Sequence, residues 1–374
     1  MPPPAGALVG QTFGNWRLVR PLGEGAFGEV YEGEHLTIAR RRAAVKVLHG
    51  EVAAANPQIK RRFLNEAVAA SRAEHPNIVQ IFDAAEGPDG RCYVVMELLD
   101  GQSLKQLTRE APLPPARVVE LGRQLAGGLA AAHRQGVVHR DLKPDNVFVL
   151  RRSEGELIKI LDFGVAKLQR DAGLHTGTGI LLGTPSYMSP EQWRAERTID
   201  GRADIYALGI ILFELAAGRR PFVGKNPYDW MRLHLSQPVP DPVAAGVTPP
   251  ALGELIARML AKRRDERPAS MEEVEQRLVA IGRSLWGQEA PTHAAPLHAQ
   301  ATQIQAPRRA TGQVPVPPPA VAVVERSLVE RGGRVGLIVG ALLVLLLAFG
   351  VGWLALAEYR RPGGIFSSVS SPAP

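Results

Sequence analysis

The sequence predicts an α+β fold with two lobes, a small lobe rich in strands followed by a larger helical lobe. The first observation behind this prediction is that residues 16–97 contain short runs of β-branched and aromatic residues separated by turn residues. The second is that long segments with the period of amphipathic helices dominate from Ser103 onward. Such a succession is typical of α+β proteins, and a cleft is expected where the lobes meet.

The small lobe, about residues 16–97, follows an N-terminal extension of residues 1–15. WRLVRPLG, GEVYEGEH and RAAVKVLH predict three strands, and IKRRFLNEAVAASRAE predicts a helix. The apolar runs around IVQIFDA and CYVVMELL predict further strands, and Cys92 is expected to pack on its strand rather than to react. These segments together predict a sheet-rich lobe.

The large lobe, about residues 101–282, is predicted from its helices. ARVVELGRQLAGGLAAAHRQ, ADIYALGIILFELAAG and ALGELIARML all have helical period. Ser270 and Glu273 form a capping-box pattern at the start of a last helix, MEEVEQRLVAIG. The two lobes together make one domain of residues 16–282.

Composition limits the function classes. A chain of 374 residues with 45% hydrophobic and 22% charged residues can bury a large core. Its single cysteine rules out an intramolecular disulfide, and its N-terminus lacks the pattern of a secretory signal, so the N-terminal part is expected in a reducing cytosol. The net charge is +7, but the basic residues are scattered in short groups. This favours a solvated surface with some attraction to anionic lipid, and no nucleic-acid partner is predicted.

The C-terminal quarter of the chain has a different composition. Residues 283–334 are rich in Pro and Ala and lack periodicity, which predicts a disordered or polyproline-like linker. Residues 335–357 contain no charged residue, and as a helix of about 35 Å they would cross a bilayer. The alternative is a buried core helix, but only the short tail of residues 358–374 follows to bury it. A transmembrane helix is therefore predicted, and the flanking arginines favour a cytoplasmic N-terminal side only weakly.

A glycine-rich motif lies between the first two predicted strands. Gly23, Gly25 and Gly28 form G-x-G-x-x-G, followed by Val30. Glycines permit a tight turn and a close approach of the backbone to phosphate. A dinucleotide-binding fold would need the glycines to open a helix, whereas a strand is predicted here. A simple hairpin turn remains an alternative when this motif is considered alone.

Charged residues in the small lobe suggest a second part of an anion site. Lys46 lies on the third predicted strand among apolar neighbours, where an unpaired lysine would lose hydration energy. Glu66 on the following helix can pair with it, and an anionic nucleotide phosphate would complete the neutralisation. HRDLKPDN at residues 139–146 and Asp162-Phe163-Gly164 follow further along the chain.

These motifs, in this order, resemble those of a serine/threonine protein kinase, and the resemblance covers nearly all of residues 16–282. It implies that Asp141 is the catalytic base and that Lys143 steadies the transferred phosphoryl group. It also implies that Asn146 and Asp162 bind Mg²⁺. Lys46, held by Glu66, would contact the α- and β-phosphates of ATP.

The resemblance also implies an adenine-binding segment, with Met96 as gatekeeper and Glu97 to Leu99 as hinge. The lysine in D-L-K-P-x-N points to serine and threonine as acceptors. The residues expected to bind ATP are Leu22, Gly23, Glu24, Gly25, Ala26, Phe27, Gly28, Val30, Lys46, Met96, Glu97 and Leu99.

An activation segment is expected between Asp162 and Glu191. Thr176 and Thr178 are its candidate phosphorylation sites, because Arg140 could pair with a phosphate there. The less favoured alternative is that they are ordinary polar loop residues. Thr184 is expected to shape the substrate-binding loop.

Two structural contacts are also implied by the resemblance. Glu191 is expected to pair with Arg267, and Asp204 to brace the catalytic loop. Ser189 replaces the alanine of the family's A-P-E motif, which is a change of one small residue for another.

The whole layout resembles the eukaryotic-like (Hanks-type), membrane-anchored serine/threonine kinases of bacteria. It implies a single-pass protein of the cell (inner) membrane, with a cytoplasmic kinase domain that uses ATP and Mg²⁺ and acts on protein substrates. Gly336 and Gly340 form G-x-x-x-G, so a homodimer that phosphorylates itself in trans is a hypothesis. One alternative is a catalytically weak scaffold that binds partners through the Pro-rich linker. Another, a small-molecule phosphotransferase, is disfavoured by the activation segment and GTPSYMSPE.

Overall fold

A computed structural model describes residues 6–25, 28–50, 57–87, 89–163 and 185–286. All of them belong to one compact unit, Met1–Ala295. Within these ranges, no helix is both long enough and apolar enough to cross a membrane. The predicted linker, transmembrane helix and tail lie outside the described residues.

The small lobe is built on a six-stranded antiparallel sheet with the strand order β1-β2-β3-β4-β6-β5. One helix, α1, lies between β4 and β5 in sequence and packs on β5 and β6. The predicted sheet-rich lobe is therefore confirmed. The bounds are β1 Thr12–Phe13, β2 Trp16–Gly25, β3 Gly28–His35, β4 Arg42–Leu48, α1 Pro57–Ser71, β5 Ile81–Glu86 and β6 Cys92–Met96.

Alternating residues of the small sheet supply two apolar clusters. Ala44 and Leu48 of β4 join α1 residues in one cluster, and Lys46 stands between them on the same face of the strand. The other cluster includes Leu8 and Phe13, so the sheet extends into the segment predicted as an N-terminal extension. Cys92 is free and buried in the first cluster, as predicted.

The large lobe is mainly helical, but it also carries a three-stranded antiparallel sheet with the order β7-β8-β9. No pattern in the sequence predicted this sheet. Its hairpin ends at Ile160, two residues before Asp162, and thereby helps to place that residue. The bounds are β7 Gln102–Ser103, α2 Leu104–Leu107, α3 Pro115–Arg134, β8 Val147–Arg152, β9 Gly155–Ile160, α4 Pro190–Trp193, α5 Arg202–Ala217, α6 Pro227–Leu235, α7 Pro250–Met259 and α8 Met271–Trp286.

Helix α5 forms the centre of the large lobe, because its sequence is apolar on nearly all sides and most of its residues are buried. It ends at Gly218, which has a φ of 69° and provides the left-handed conformation of a helix C-cap. At the start of α8, the Glu273 N–H donates to Ser270 Oγ at 3.3 Å, as expected for a capping box. The Glu273 carboxylate, however, accepts from the N–H of Ala269 rather than that of Ser270, so the box is only half formed.

A fully buried histidine, His234 of α6, lies among four aromatic rings in this lobe. Its Nδ1 lies 3.0 Å from the Tyr206 hydroxyl. Its Nε2 has no hydrogen-bond partner within the part of the chain that the structure describes. Burial, with a smaller contribution from the charge of Lys262, lowers the pKa of His234 to about 3. The neutral form is therefore strongly favoured in the folded protein.

The protein should lose stability as the pH falls from about 6.5 toward 3, because the unfolded state binds a proton on His234 that the folded state excludes. The loss should approach about 1.4 kcal/mol per pH unit, or about 2 kcal/mol between pH 6.5 and 5. His234→Phe should flatten this dependence in denaturant unfolding at pH 7 and pH 5. Other titrating groups remain in both proteins, so equal losses in parent and variant would contradict the prediction.

Candidate active site

Asp204, at the start of α5, holds the segment His139–Asn146 through hydrogen bonds to its backbone. The carboxylate of Asp204 accepts the backbone N–H groups of His139 and Arg140, both at 2.8 Å, and lies 2.7 Å from His133 Nε2. Arg140 has a φ of 65°, a left-handed conformation that is unfavourable for a residue with a side chain. The two backbone hydrogen bonds stabilise this conformation. The predicted bracing by Asp204 is confirmed.

Asp204 remains ionised although its side chain is fully buried. Burial alone would raise its pKa. The hydrogen bond and charge of His133, with smaller contributions from the charge of His139 and the N–H of Arg140, lower the pKa below the usual range. A charged acceptor in this position can satisfy several donors at once. The loop that it holds contains Asp141, Lys143 and Asn146.

The structure brings together two predicted catalytic residues, Asp141 and Lys143, and the predicted metal ligand Asn146. Asp141 Oδ2 accepts from Lys143 Nζ at 2.8 Å and from Asn146 Nδ2 at 3.2 Å. The Asn146 amide also donates to the backbone carbonyl of Asp141 at 2.8 Å. These contacts orient the Asp141 carboxylate, and its side chain is only 13% exposed.

Asp162 lies beside this cluster, two residues after β9 ends at Ile160. Its Oδ1 accepts from Lys46 Nζ at 2.6 Å, so an ion pair joins the small lobe to the large one. Burial tends to raise the pKa of Asp162, but the charge and hydrogen bond of Lys46 outweigh it and lower the pKa. Lys143 is close enough to contribute to the same shift. The side chain of Glu66, the predicted partner of Lys46, lies outside the described part of the structure.

The glycine-rich motif joins two antiparallel strands, as predicted, and does not open a helix. Gly25 pairs with Gly28, and Val30 pairs with Lys46 across the next strand, so Val30 and Lys46 share a face of the sheet. A Cβ at Gly28 would lie 2.1 Å from the carbonyl oxygen of Val47, whereas a Cβ at Gly23 would meet no described atom within 4 Å. The sheet itself therefore requires a glycine at position 28. Packing does not require one at position 23, which is consistent with close approach of a ligand there.

The other described residues predicted to bind ATP lie on strands β2 and β6 or directly after β6. Leu22 and Glu24 are exposed on β2, and Met96 is buried at the end of β6. Glu97 and Leu99 follow β6 and are half-buried. Ala26 and Phe27 lie outside the described residues.

The predicted contact between Glu191 and Arg267 is a bidentate ion pair, with N–O distances of 2.7 and 2.8 Å. Both side chains are almost completely buried. Arg267 also donates to the carbonyls of Ala261 and Arg202. Burial is the largest single influence and would raise the pKa of Glu191, but the hydrogen bond and charge of Arg267 together outweigh it and lower the pKa. Loss of either side chain would leave the charge of the other buried without its ionic partner.

Two polar contacts next to this pair were missed by the sequence analysis. Ser189 caps α4 through a reciprocal capping box with Gln192. The Gln192 amide also donates to the Arg140 carbonyl at 2.7 Å, which connects α4 to the catalytic loop. The serine at position 189 is therefore more than a small residue in place of alanine. The S-x-x-Q spacing of Ser189 and Gln192 was the signal that could have revealed the capping box.

Tyr187 lies just before α4 and donates its hydroxyl to Glu214 of α5 at 2.6 Å. Burial is the largest cause of the raised pKa of both groups, so the phenol is protonated and donates. Thr176, Thr178 and Thr184, the threonines of the predicted activation segment, lie outside the described residues. Among the residues that are described, Arg140 Nε is buried without a hydrogen-bond partner.

Asn146 and Asp162 offer the oxygen ligands that Mg²⁺ prefers. The amide nitrogen of Asn146 donates to Asp141, which leaves its amide oxygen for a cation. The lowered pKa of Asp162 keeps its carboxylate charged. The described ranges contain no cluster of three or more His, Cys, Asp or Glu side chains suited to a metal. Mg²⁺ does not need one, because it is usually held by one or two carboxylates together with substrate phosphates.

Comparison with known proteins places this geometry in a family. Residues 16–279 match the family described as the protein kinase domain. The chain is 40% identical over 277 residues to serine/threonine-protein kinase pkn2 of Myxococcus xanthus, covering 73% of this chain and 33% of that protein. It is 44% identical over 266 residues to Pkn1 of the same organism, covering 71% of this chain and 38% of that protein. The aligned region thus spans less than half of each of these relatives.

A solved structure shows the same fold. The crystal structure of the Mycobacterium tuberculosis PknI kinase domain superimposes with a TM-score of 0.56 at 30% identity. The match covers 73% of this chain and 98% of that structure.

Proposed function

Because this chain belongs to the protein kinase family, we propose that it is a serine/threonine protein kinase that transfers the γ-phosphate of ATP to hydroxyl groups of proteins. The observation that carries the proposal is the cluster of Asp141, Lys143 and Asn146 beside the Lys46–Asp162 ion pair. They supply a carboxylate base, two cations and the oxygen ligands for a metal, which phosphoryl transfer requires. The names of the relatives support serine and threonine as acceptors.

In the proposed reaction, the oxygen of a substrate hydroxyl forms a bond to the γ-phosphorus, the bond from that phosphorus to the β,γ-bridging oxygen breaks, and ADP leaves. Asp141 accepts the hydroxyl proton. Lys143 stabilises negative charge on the transferred group, and Lys46 binds phosphate oxygens. Mg²⁺ held by Asn146 and Asp162 would neutralise phosphate charge.

Regulation by autophosphorylation is a second part of the proposal. Arg140 follows His139 in the loop that Asp204 holds. Its Nε–H has no hydrogen-bond acceptor within the described structure and could donate to a phosphate oxygen. A phosphate on Thr176 or Thr178 would add about −1.5 to −2 charge that this guanidinium can bind. The scaffold alternative would keep the fold without the chemistry.

Incubation of the full chain with labelled ATP and Mg²⁺ tests this proposal. We expect label on Thr176 or Thr178 in the parent protein and none in Asp141→Asn, because the asparagine cannot accept the hydroxyl proton. Peptide mapping by mass spectrometry identifies the site, and a generic protein substrate reports transfer in trans. Absence of label on both the chain and the substrate, with bound ATP, would favour the scaffold.

We also propose that residues 335–357 anchor the protein in the cell (inner) membrane, with residues 283–334 as linker and the kinase domain in the cytoplasm. The apolar length of this segment supports the proposal. ATP is a cytosolic substrate, so the kinase domain has to face the cytoplasm.

Replacement of Gly336 and Gly340 by leucine should abolish self-association in a membrane, because the added side chains prevent close packing of two helices. Cross-linking of the full chain in liposomes measures the effect. Leucine at Ala341 and Gly350 is the control, since these changes leave the G-x-x-x-G pattern intact. Association that persists in the first variant would remove this dimer interface from the proposal.

A further inference from the structure

Lys159 of β9 is a buried lysine outside the residues assigned to catalysis. It is 8% exposed. Lysines are rarely buried unless their charge is paired. Here Nζ donates to Glu97 Oε1 at 2.5 Å and to the Ile78 carbonyl at 3.2 Å. The ion pair therefore joins β9 to the segment expected to bind adenine.

Glu97 is held on several sides. Its Oε1 accepts the backbone N–H of Gln80 at 2.8 Å, and its own N–H donates to the Gln80 carbonyl at 2.9 Å. The side chain that binds Lys159 thus belongs to a residue whose backbone is also hydrogen-bonded. This arrangement limits how far the hinge can shift relative to β9.

The same strand also positions Asp162. The Ile160 N–H donates to the Asn77 carbonyl at 2.8 Å, and the Ile160 carbonyl accepts from Val79 at 3.0 Å. Asp162 follows two residues later, after β9 ends. One strand therefore connects the segment expected to bind adenine, through Lys159, with Asp162, which is expected to bind the phosphate end of the nucleotide through Mg²⁺.

We propose that Lys159 is a positioning residue that sets the separation between the hinge and Asp162, and thereby the affinity for ATP. The inference rests on the proposed kinase function and adds a residue to it. A nucleotide that must bind the hinge at one end and Asp162, through a metal, at the other depends on that separation. Lys159 acts through Glu97 and need not touch the nucleotide.

Lys159→Met and Glu97→Gln in the full chain should each raise KM for ATP about tenfold and change kcat by less than about threefold. The double variant should be no worse than the poorer single variant, because both changes break one interaction. Lys159→Arg keeps the charge and should recover most of the affinity. Arg277→Met, which breaks an exposed ion pair with Glu273 on α8, is the matched control.

Direct binding of a fluorescent ATP analogue in the presence of Mg²⁺ provides a readout that does not need phosphoryl transfer. A parent that binds the analogue but transfers no phosphate would contradict the proposed function while leaving this test intact. Unchanged Kd in Lys159→Met and Glu97→Gln, with only a lower melting temperature, would show a structural role and overturn the inference. Additive effects in the double variant would also overturn it. If Lys159→Met does not fold, the Kd of Lys159→Gln decides the question.

Discussion

Replacing Asp204 with asparagine should lower kcat by about a hundredfold and destabilise the protein by about 3 kcal/mol. The carboxylate accepts the N–H groups of His139 and Arg140 as well as a contact with His133. An asparagine would place an NH₂ group against one of these donors and leave it unsatisfied in a buried site. The left-handed conformation of Arg140 would then relax, and Asp141 would move with it.

Steady-state kinetics and denaturant unfolding measure the two effects of Asp204→Asn separately. Asp200→Asn is the matched control, because Asp200 is exposed and, within the described residues, its carboxylate accepts only the nearby N–H of Arg202. That variant should behave like the parent protein. Full activity in Asp204→Asn would show that the catalytic loop keeps its conformation without the buried charge.

Replacing Arg267 with methionine should destabilise the protein by about 3–5 kcal/mol, because Glu191 would remain buried without a partner. At about 2–4 °C per kcal/mol for a domain of this size, the melting temperature should fall by roughly 10 °C. Adding Glu191→Gln to this variant should recover part of the loss, since it removes the unpaired charge.

Arg263→Met is the control for this experiment. Arg263 forms an ion pair with Asp265, but its side chain is 73% exposed, so no measurable change is expected. Thermal unfolding of the four proteins measures the comparison. Equal stability of Arg267→Met and the parent would mean that the buried ion pair contributes nothing to the fold.

The sequence was sufficient to predict the residues whose motifs are continuous along the chain. Asp141 and Asn146 belong to one short segment, and local geometry brings them together. The contacts that were missed join distant segments. Gln192 reaches the catalytic loop, and Lys159 reaches Glu97, although neither polar residue stands out beside its own neighbours.

The ion pair of Lys46 is another contact between distant segments. The sequence pattern predicts Glu66 on the next helix as the partner of Lys46, and that side chain lies outside the described residues. Within the described residues Lys46 pairs with Asp162, 116 residues away, a partner that the sequence pattern did not reveal. The small sheet of the large lobe was missed for a different reason. Its strands are short and lie among long helical patterns, and pairing between distant segments rather than local propensity decides where such strands form.

Helix α5 has a consequence for how this protein can change over evolutionary time. It holds the catalytic loop through Asp204 near one end and Tyr187 through Glu214 near the other. At about 1.5 Å per residue, the helix spaces these two anchors by about 15 Å. Insertion of one residue between them would rotate Glu214 by about 100° relative to Asp204. Helix α5 thus fixes both the distance and the angle between Asp204 and Glu214. We expect that no insertion is tolerated between them, even where individual side chains of the helix can change.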